Sequence, residues 1–237
     1  MSNRGAIRPG LIAGPLQLED ERGRHDLCDG EWTSDQTSPQ SVRFVSSTAK
    51  YILLIEKGST YNKIRASDFA ERNDCILIYG RGFPSRTFRR LVHRLHAQLR
   101  LPFYVFADND PAGYELFFLM ARGSTRSAGR PRPEFAILDA KFLGIRVGER
   151  SDFGIAADYG IDLTPKELEH LRRLRRCSWL RGDGPWQREL RDLETRGFKI
   201  EMEAIQWVEP GYIDQRYLPE RLGADDLLRL RSARSRR

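Results

Sequence analysis

The chain has 237 residues, of which 40% are hydrophobic and 31% charged, so it is long enough for a full core and too apolar to be disordered. Its net charge of +7 suits a polyanion such as DNA, although such an excess is equally typical of a solvated tail. No apolar run approaches the roughly 18 residues that span a bilayer, no secretion signal opens the chain, and the cysteines lack C-x-x-C spacing. We therefore expect a cytoplasmic, nucleoid-associated protein with no membrane partner, zinc site or disulfide framework.

The predicted elements alternate between strands and helices. Residues 11–18 alternate weakly in polarity and predict an edge strand. Short continuous apolar runs predict four buried parallel strands, at residues 51–55, 75–79, 103–107 and 135–138. Helical spacing predicts helices at about residues 61–72, 85–99 and 111–122. This alternation implies right-handed crossovers, so the predicted fold class is α/β, a parallel sheet covered by helices on both faces.

The rest of the chain is predicted to be mostly helical. Thr164 and Glu167 have the spacing of a capping box, and Gly197 is placed to end a helix that begins near residue 186. Ser85 is the predicted N-cap of the helix at residues 85–99. Much of the excess positive charge lies in the terminal arginines Arg229, Arg231, Arg234, Arg236 and Arg237.

Three carboxylates follow two of the predicted strands. Glu56 comes directly after the first apolar run, and Asp108 and Asp110 come after the third. In a doubly wound sheet, ligands gather beyond the carboxyl ends of the strands, where neighbouring strands lie about 5 Å apart. Clustered carboxylates repel each other unless a cation lies between them, and their oxygens suit Mg²⁺. The sequence therefore predicts an Mg²⁺ site formed by Glu56, Asp108 and Asp110.

The alternative is that these acids are ordinary cap or turn residues, which is the commoner role of a lone acid at a strand end. The combination is more specific, because a glutamate, a Gly-x-Gly turn around Arg81 and a D-x-D-P-x-G segment each follow their own strand. Arg81 is placed to meet a phosphate group. Gly113 is predicted to let a backbone segment come close.

These segments resemble the Toprim domain of topoisomerase VI A subunits and of their meiotic double-strand-break relatives. The resemblance is carried by residues 55–57, 76–84 and 108–113, and it continues at residues 141–144, 162–164, 199–204 and 217–219. It implies a Rossmann-like Toprim sheet flanked by helices, with a helical C-terminal extension. The implied divisions are a leading segment at 1–50, a Toprim core at 51–145, a family-specific part of the same domain at 146–222 and a basic tail at 223–237.

The resemblance also implies roles for individual residues. Glu56, Asp108 and Asp110 would hold Mg²⁺ beside the scissile phosphate, while Arg81 and Lys57 would contact double-stranded DNA. The nucleophilic tyrosine of the family lies in an upstream winged-helix domain and acts across a homodimer. With only residues 1–10 ahead of the resemblance, we expect no such domain within this sequence, and none of the eight tyrosines is predicted to be catalytic. A smaller departure from the family pattern is the Gly-Ser pair that begins at Gly58.

Three functions remain open from the sequence. The first is an Mg²⁺-binding subunit of a type IIB topoisomerase-like complex (an isomerase), with a winged-helix partner that bears the tyrosine and a separate ATPase subunit. The second is a metal-dependent nuclease in which water attacks the phosphodiester. The third is a DNA-binding or dimerisation module without catalysis.

Overall fold

A computed structural model describes residues 9–34, 38, 40–123 and 134–230 of the chain. The chain forms two compact units, Met1–Pro102 and Phe103–Arg237, and their boundary falls inside the predicted core at 51–145. The predicted four-part division stays a prediction, and the tail residues Arg231, Arg234, Arg236 and Arg237 lie outside the described ranges. No helix within those ranges is both long enough and apolar enough to cross a membrane.

The first unit contains seven strands and three helices among its described residues. In chain order these are β1 (Leu11–Ala13), β2 (Leu16–Asp20), β3 (Gly23–Asp26), β4 (Glu31–Thr33), β5 (Arg43–Ser47), β6 (Tyr51–Ile55), α1 (Gly58–Ala66), α2 (Phe69–Arg72), β7 (Cys75–Tyr79) and α3 (Arg86–Leu99).

Strands β6 and β7 confirm two of the predicted buried parallel strands. They pair in parallel with Ile52 opposite Ile76, and both of these side chains are fully buried. β7 continues to antiparallel β1, and β1 to antiparallel β4, so the order in this unit is β4-β1-β7-β6. β6 ends at Ile55, so Glu56 lies directly at its carboxyl end.

The prediction of one edge strand at residues 11–18 is wrong. The segment forms two strands, and each has a neighbour on both sides: β1 lies between β4 and β7, and β2 lies between β3 and β5. Gly14 separates them with a φ of 105°, and a Cβ at this position would lie 2.4 Å from the carbonyl oxygen of Cys75. The backbone turns here because only glycine fits both the conformation and the close approach.

The second unit begins with the third predicted strand. Its elements in chain order are β8 (Phe103–Phe106), α4 (Pro111–Arg122), β9 (Lys141–Phe142), β10 (Ile161–Asp162), α5 (Pro165–Arg175), α6 (Gly184–Arg196), β11 (Phe198–Lys199), α7 (Glu203–Gln206), α8 (Leu218–Arg221) and β12 (Leu228–Arg229). A π-helical turn at Ile213–Tyr217 precedes α8. β8 and β9 pair in parallel, β9 and β12 pair antiparallel, and β10 pairs with β11.

The predicted strand at residues 135–138 is wrong. Phe135 has a φ of 65°, and the run makes a turn in which the Ala140 N–H donates to the Ile137 carbonyl oxygen. Ile137 is buried, whereas Leu138 is 60% exposed. The apolar run therefore buries one side chain instead of forming a ladder, and within this unit β8 pairs with β9.

Aromatic packing holds the helical extension against α4. The centroid of the Trp186 ring on α6 lies 4.9 Å from that of Phe117 and 4.7 Å from that of Phe118, both on α4. It lies 5.6 Å from the ring centroid of Phe142 on β9. Thr164 begins α5 with the predicted capping box. With parallel strand pairs flanked by helices in each unit, the predicted α/β class and its helical C-terminal extension are confirmed.

Candidate functional site

In the first unit, Glu56 stands directly beyond β6 and Lys57 is the residue before α1. Both side chains are half-buried. A Cβ added at Gly58 would lie 2.7 Å from the Tyr79 hydroxyl oxygen. The glycine at this departure from the family pattern therefore lets α1 begin against Tyr79, and this close contact fixes the backbone that follows Glu56.

Arg81 lies in the turn after β7 and is exposed. Its φ is 55° and that of Gly82 is 80°, so two successive residues adopt the left-handed conformation. A Cβ on Gly80 would lie 2.9 Å from the Pro84 side chain, and this crowding keeps the turn tight. The turn presents the Arg81 guanidinium group to solvent, as a phosphate contact requires.

In the second unit, Asp108 and Asp110 follow β8 on a loop that the backbone holds in place. The Asn109 N–H donates to the Ile200 carbonyl oxygen at 3.0 Å, and the Met202 N–H donates to Asp108 Oδ1 at 2.8 Å. Asp110 caps α4 by accepting a 2.7 Å hydrogen bond from the Gly113 N–H. The loop is thus fixed by the segment after β11 on one side and by α4 on the other.

Gly113 makes this close approach possible. A Cβ at this position would lie 2.3 Å from the carbonyl oxygen of Asp108, a contact that no larger residue tolerates. The sequence prediction that Gly113 admits a neighbouring backbone is therefore confirmed.

A buried polar network supports Asn109 from beneath. The Asn109 amide donates to the Tyr114 hydroxyl oxygen at 2.6 Å, and that hydroxyl donates to Glu189 Oε1 at 2.7 Å. The same carboxylate oxygen accepts from the Val147 N–H at 2.9 Å. Burial raises the pKa of Glu189 despite these hydrogen bonds, and burial also raises the pKa of Tyr114. The sequence does not reveal this network, because nothing in the local pattern links Glu189 to the aspartate loop.

We expect Tyr114→Phe to destabilise the chain by about 2–3 kcal/mol, because it leaves buried partners on both sides without the hydroxyl group. Tyr217→Phe is the matched control, since Tyr217 is equally buried but its hydroxyl makes a single 2.8 Å hydrogen bond, to the Leu143 carbonyl oxygen. Urea unfolding of both variants measures the difference. Equal losses of unfolding free energy would show that the network adds nothing beyond one bond.

A second group of side chains, here called the Lys199 corner, surrounds the Lys199 ammonium group. Its Nζ lies 2.8 Å from Glu167 Oε1, 3.8 Å from Glu201 Oε1 and 3.9 Å from Asp110 Oδ2. Burial opposes the charged form of Lys199, but the three carboxylates outweigh it and raise its pKa. Burial likewise opposes ionisation of Glu167, yet the bonds from Lys199 and Thr164 lower the pKa of Glu167 to about 2. Lys199 and Glu167 therefore form an ionised pair at neutral pH.

Within the described ranges, no group of three or more histidine, cysteine, aspartate or glutamate side chains is arranged to hold a metal ion. The set of Glu56, Asp108 and Asp110 therefore stays a prediction. The residues beyond β8 nevertheless offer carboxylate oxygens, the ligands that Mg²⁺ prefers, although the Lys199 ammonium group lies beside Asp110. Asp110 has one oxygen committed to the helix cap, and its other oxygen faces Lys199.

Four of the eight tyrosines are almost completely buried, which bears on the source of a nucleophile. Tyr61, Tyr104, Tyr114 and Tyr217 each expose 1% or less of their surface. Burial raises the pKa of Tyr61, Tyr114 and Tyr217, so these phenols resist the deprotonation that an attacking oxygen needs.

Comparison with known proteins places this α/β chain and its aspartate loop in a family. The profile of the Toprim domain shared by the topoisomerase 6 A subunit and Spo11 matches residues 51–222. The chain belongs to this family.

Three relatives illustrate the range of the match. The A subunit of type 2 DNA topoisomerase 6 from Archaeoglobus fulgidus is 30% identical over 229 residues, which cover 91% of this chain and 62% of the relative. Meiotic recombination protein SPO11-1 of Oryza sativa subsp. indica is 28% identical, covering 91% and 57%. Meiotic recombination protein SPO11 of Mus musculus is 27% identical, covering 90% and 54%. The chain therefore spans a little over half the length of these relatives.

Proposed function

We propose that this chain is the Mg²⁺-binding Toprim subunit of a type IIB topoisomerase-like complex that cleaves double-stranded DNA. Another polypeptide supplies the nucleophilic tyrosine from a winged-helix domain, and a further subunit supplies ATPase activity. The chain acts as a homodimer on DNA in the nucleoid. The observation that carries the proposal is the rigidly held Asp108–Asn109–Asp110 loop directly beyond a buried strand, in a chain that belongs to this family.

Asp108 and Asp110, with Glu56, are the residues that would hold the metal. Bound Mg²⁺ would polarise the phosphodiester and stabilise its leaving oxygen. The protein contributes fixed carboxylate positions, since the Met202 N–H orients Asp108 and the cap of α4 orients Asp110. Such preorganisation lowers the cost of binding the metal and a phosphate together.

Arg81 and Lys57 are the proposed DNA contacts of this site. The exposed turn around Arg81 supports the first, because a guanidinium group on a constrained backbone can meet a phosphate in a bidentate manner. The net charge of +7 adds affinity for DNA that does not depend on sequence and that falls as salt rises.

The burial of several of this chain's own tyrosines supports a nucleophilic tyrosine that comes from another polypeptide. The four tyrosines with 1% exposure or less cannot reach a phosphate without unfolding the core around them. A hydrolytic nuclease and a non-catalytic module are the outcomes that would replace the proposal.

The deciding experiment captures the tagged chain from its native host and incubates the purified assembly with supercoiled plasmid, with Mg²⁺ or with EDTA. The expected result is a tyrosine-bearing winged-helix protein in the assembly and Mg²⁺-dependent cleavage that leaves this partner covalently attached to DNA. Cleavage without a protein–DNA adduct would assign the nuclease function. DNA binding without cleavage, unchanged in Asp108→Ala, would assign the non-catalytic module.

A further inference from the structure

The Lys199 corner places a positive charge beside Asp110, one of the proposed metal ligands. Lys199 donates a 2.8 Å hydrogen bond to Glu167 Oε1, whereas its 3.9 Å separation from Asp110 Oδ2 is too long for a hydrogen bond. Lys199 is therefore tethered to Glu167 and acts on Asp110 through space. Its side chain is 16% exposed and that of Asp110 is 13% exposed, so water screens this interaction only in part.

Glu167 is a firm tether for the ammonium group. Its other oxygen, Oε2, accepts from the Thr164 N–H at 2.8 Å and from the Thr164 hydroxyl at 2.7 Å. The backbone on the other side is equally fixed, because β11 pairs with β10 and places Lys199 opposite Ile161. The positive charge thus stays near Asp110 whether or not another cation is present.

We propose that Lys199 is the resident counter-ion of Asp110 and that it weakens the binding of a divalent cation at the proposed metal site. In the metal-free chain it offsets the repulsion among Asp110, Glu167 and Glu201, so the corner folds without metal. When a divalent cation approaches Asp110, the tethered ammonium group repels it. Lys199 is a positioning and affinity-setting residue, and this role rests on the proposed function of Asp110 as a metal ligand.

The test is titration of the purified full chain with MgCl₂ in an isothermal calorimeter. Lys199→Gln removes the positive charge but keeps a donor for Glu167, and we expect it to bind Mg²⁺ about tenfold more tightly than the wild type. Lys199→Arg keeps the charge and is expected to bind within about twofold of the wild type. Lys50→Met is the charge-matched control, because it also removes one lysine and breaks one ion pair, with Asp74, in the other unit.

Thermal melting in EDTA and in MgCl₂ gives a second readout that needs no DNA cleavage. Lys199→Gln is expected to melt at a lower temperature than the wild type in EDTA and to gain more from Mg²⁺. Mg²⁺ affinity of Lys199→Gln equal to or below that of the wild type would overturn the role of Lys199 while leaving the metal site intact. If the wild type and all variants fail to bind Mg²⁺, the proposed function and this inference fail together.

Discussion

Asp110→Asn is expected to reduce the Mg²⁺ affinity of the chain at least tenfold and the rate of plasmid cleavage by the assembled complex about 100-fold or more. The substitution isolates charge from structure, because asparagine is as good an N-cap as aspartate and can still accept the hydrogen bond from the Gly113 N–H. The carboxylate charge beside Lys199 is lost, and with it the oxygen that we assign to the metal. Calorimetry measures the affinity, and a time course of linear DNA measures the rate.

Asp192→Asn is the control for this experiment. Asp192 lies on the exposed side of α6 in the same unit, so the variant changes the net charge equally without touching the aspartate loop. Both variants should unfold within about 1 kcal/mol of the wild type. If Asp110→Asn cleaves DNA at the wild-type rate and with the wild-type dependence on Mg²⁺, Asp110 is not a ligand of the proposed metal site.

The strands that are apolar on both faces could be predicted from the sequence, because burial on both sides leaves a continuous signal. β6, β7 and β8 lie where the apolar runs place them. The run at residues 135–138 shows the limit of this signal. Composition cannot distinguish a ladder strand from a turn that buries one side chain, here Ile137, whose N–H donates to the Met120 carbonyl oxygen near the end of α4.

The candidate site was predictable only in its local parts. The capping role of Asp110 and the close backbone approach at Gly113 could be predicted, because both involve residues within one helical turn of each other. The bond between Met202 and Asp108 joins residues 94 positions apart, and β10 and β11 contain two residues each, too few for a periodic pattern. Lys199 therefore gains its place beside Asp110 from tertiary packing, which no local pattern encodes.

Substitution of Asp20 is the strongest test of what stabilises the small sheet β3-β2-β5. Its side chain is fully buried and accepts hydrogen bonds from the Arg22 backbone and guanidinium group, from the Trp32 indole at 2.8 Å and from a His25 ring nitrogen at 2.8 Å. Burial favours the neutral acid, but Arg22, Trp32 and His25 together outweigh it and hold the pKa of Asp20 far below its usual value of 3.8. The ionised carboxylate therefore joins Arg22, His25 and Trp32 through hydrogen bonds.

We expect Asp20→Asn to cost about 3–4 kcal/mol of unfolding free energy at pH 7, because the buried neutral amide is a weaker acceptor and its own N–H donors face the donors of Arg22, His25 and Trp32. A group with a lowered folded-state pKa stabilises the fold above its unfolded pKa. The wild type should therefore lose this stability as the pH falls below about 4, and the variant should not. Urea unfolding at pH 7 and pH 3 measures both effects. Asp26→Asn, at an exposed site in β3, is the control. A similar loss of unfolding free energy in both variants would show that the buried Asp20 carboxylate has no special role.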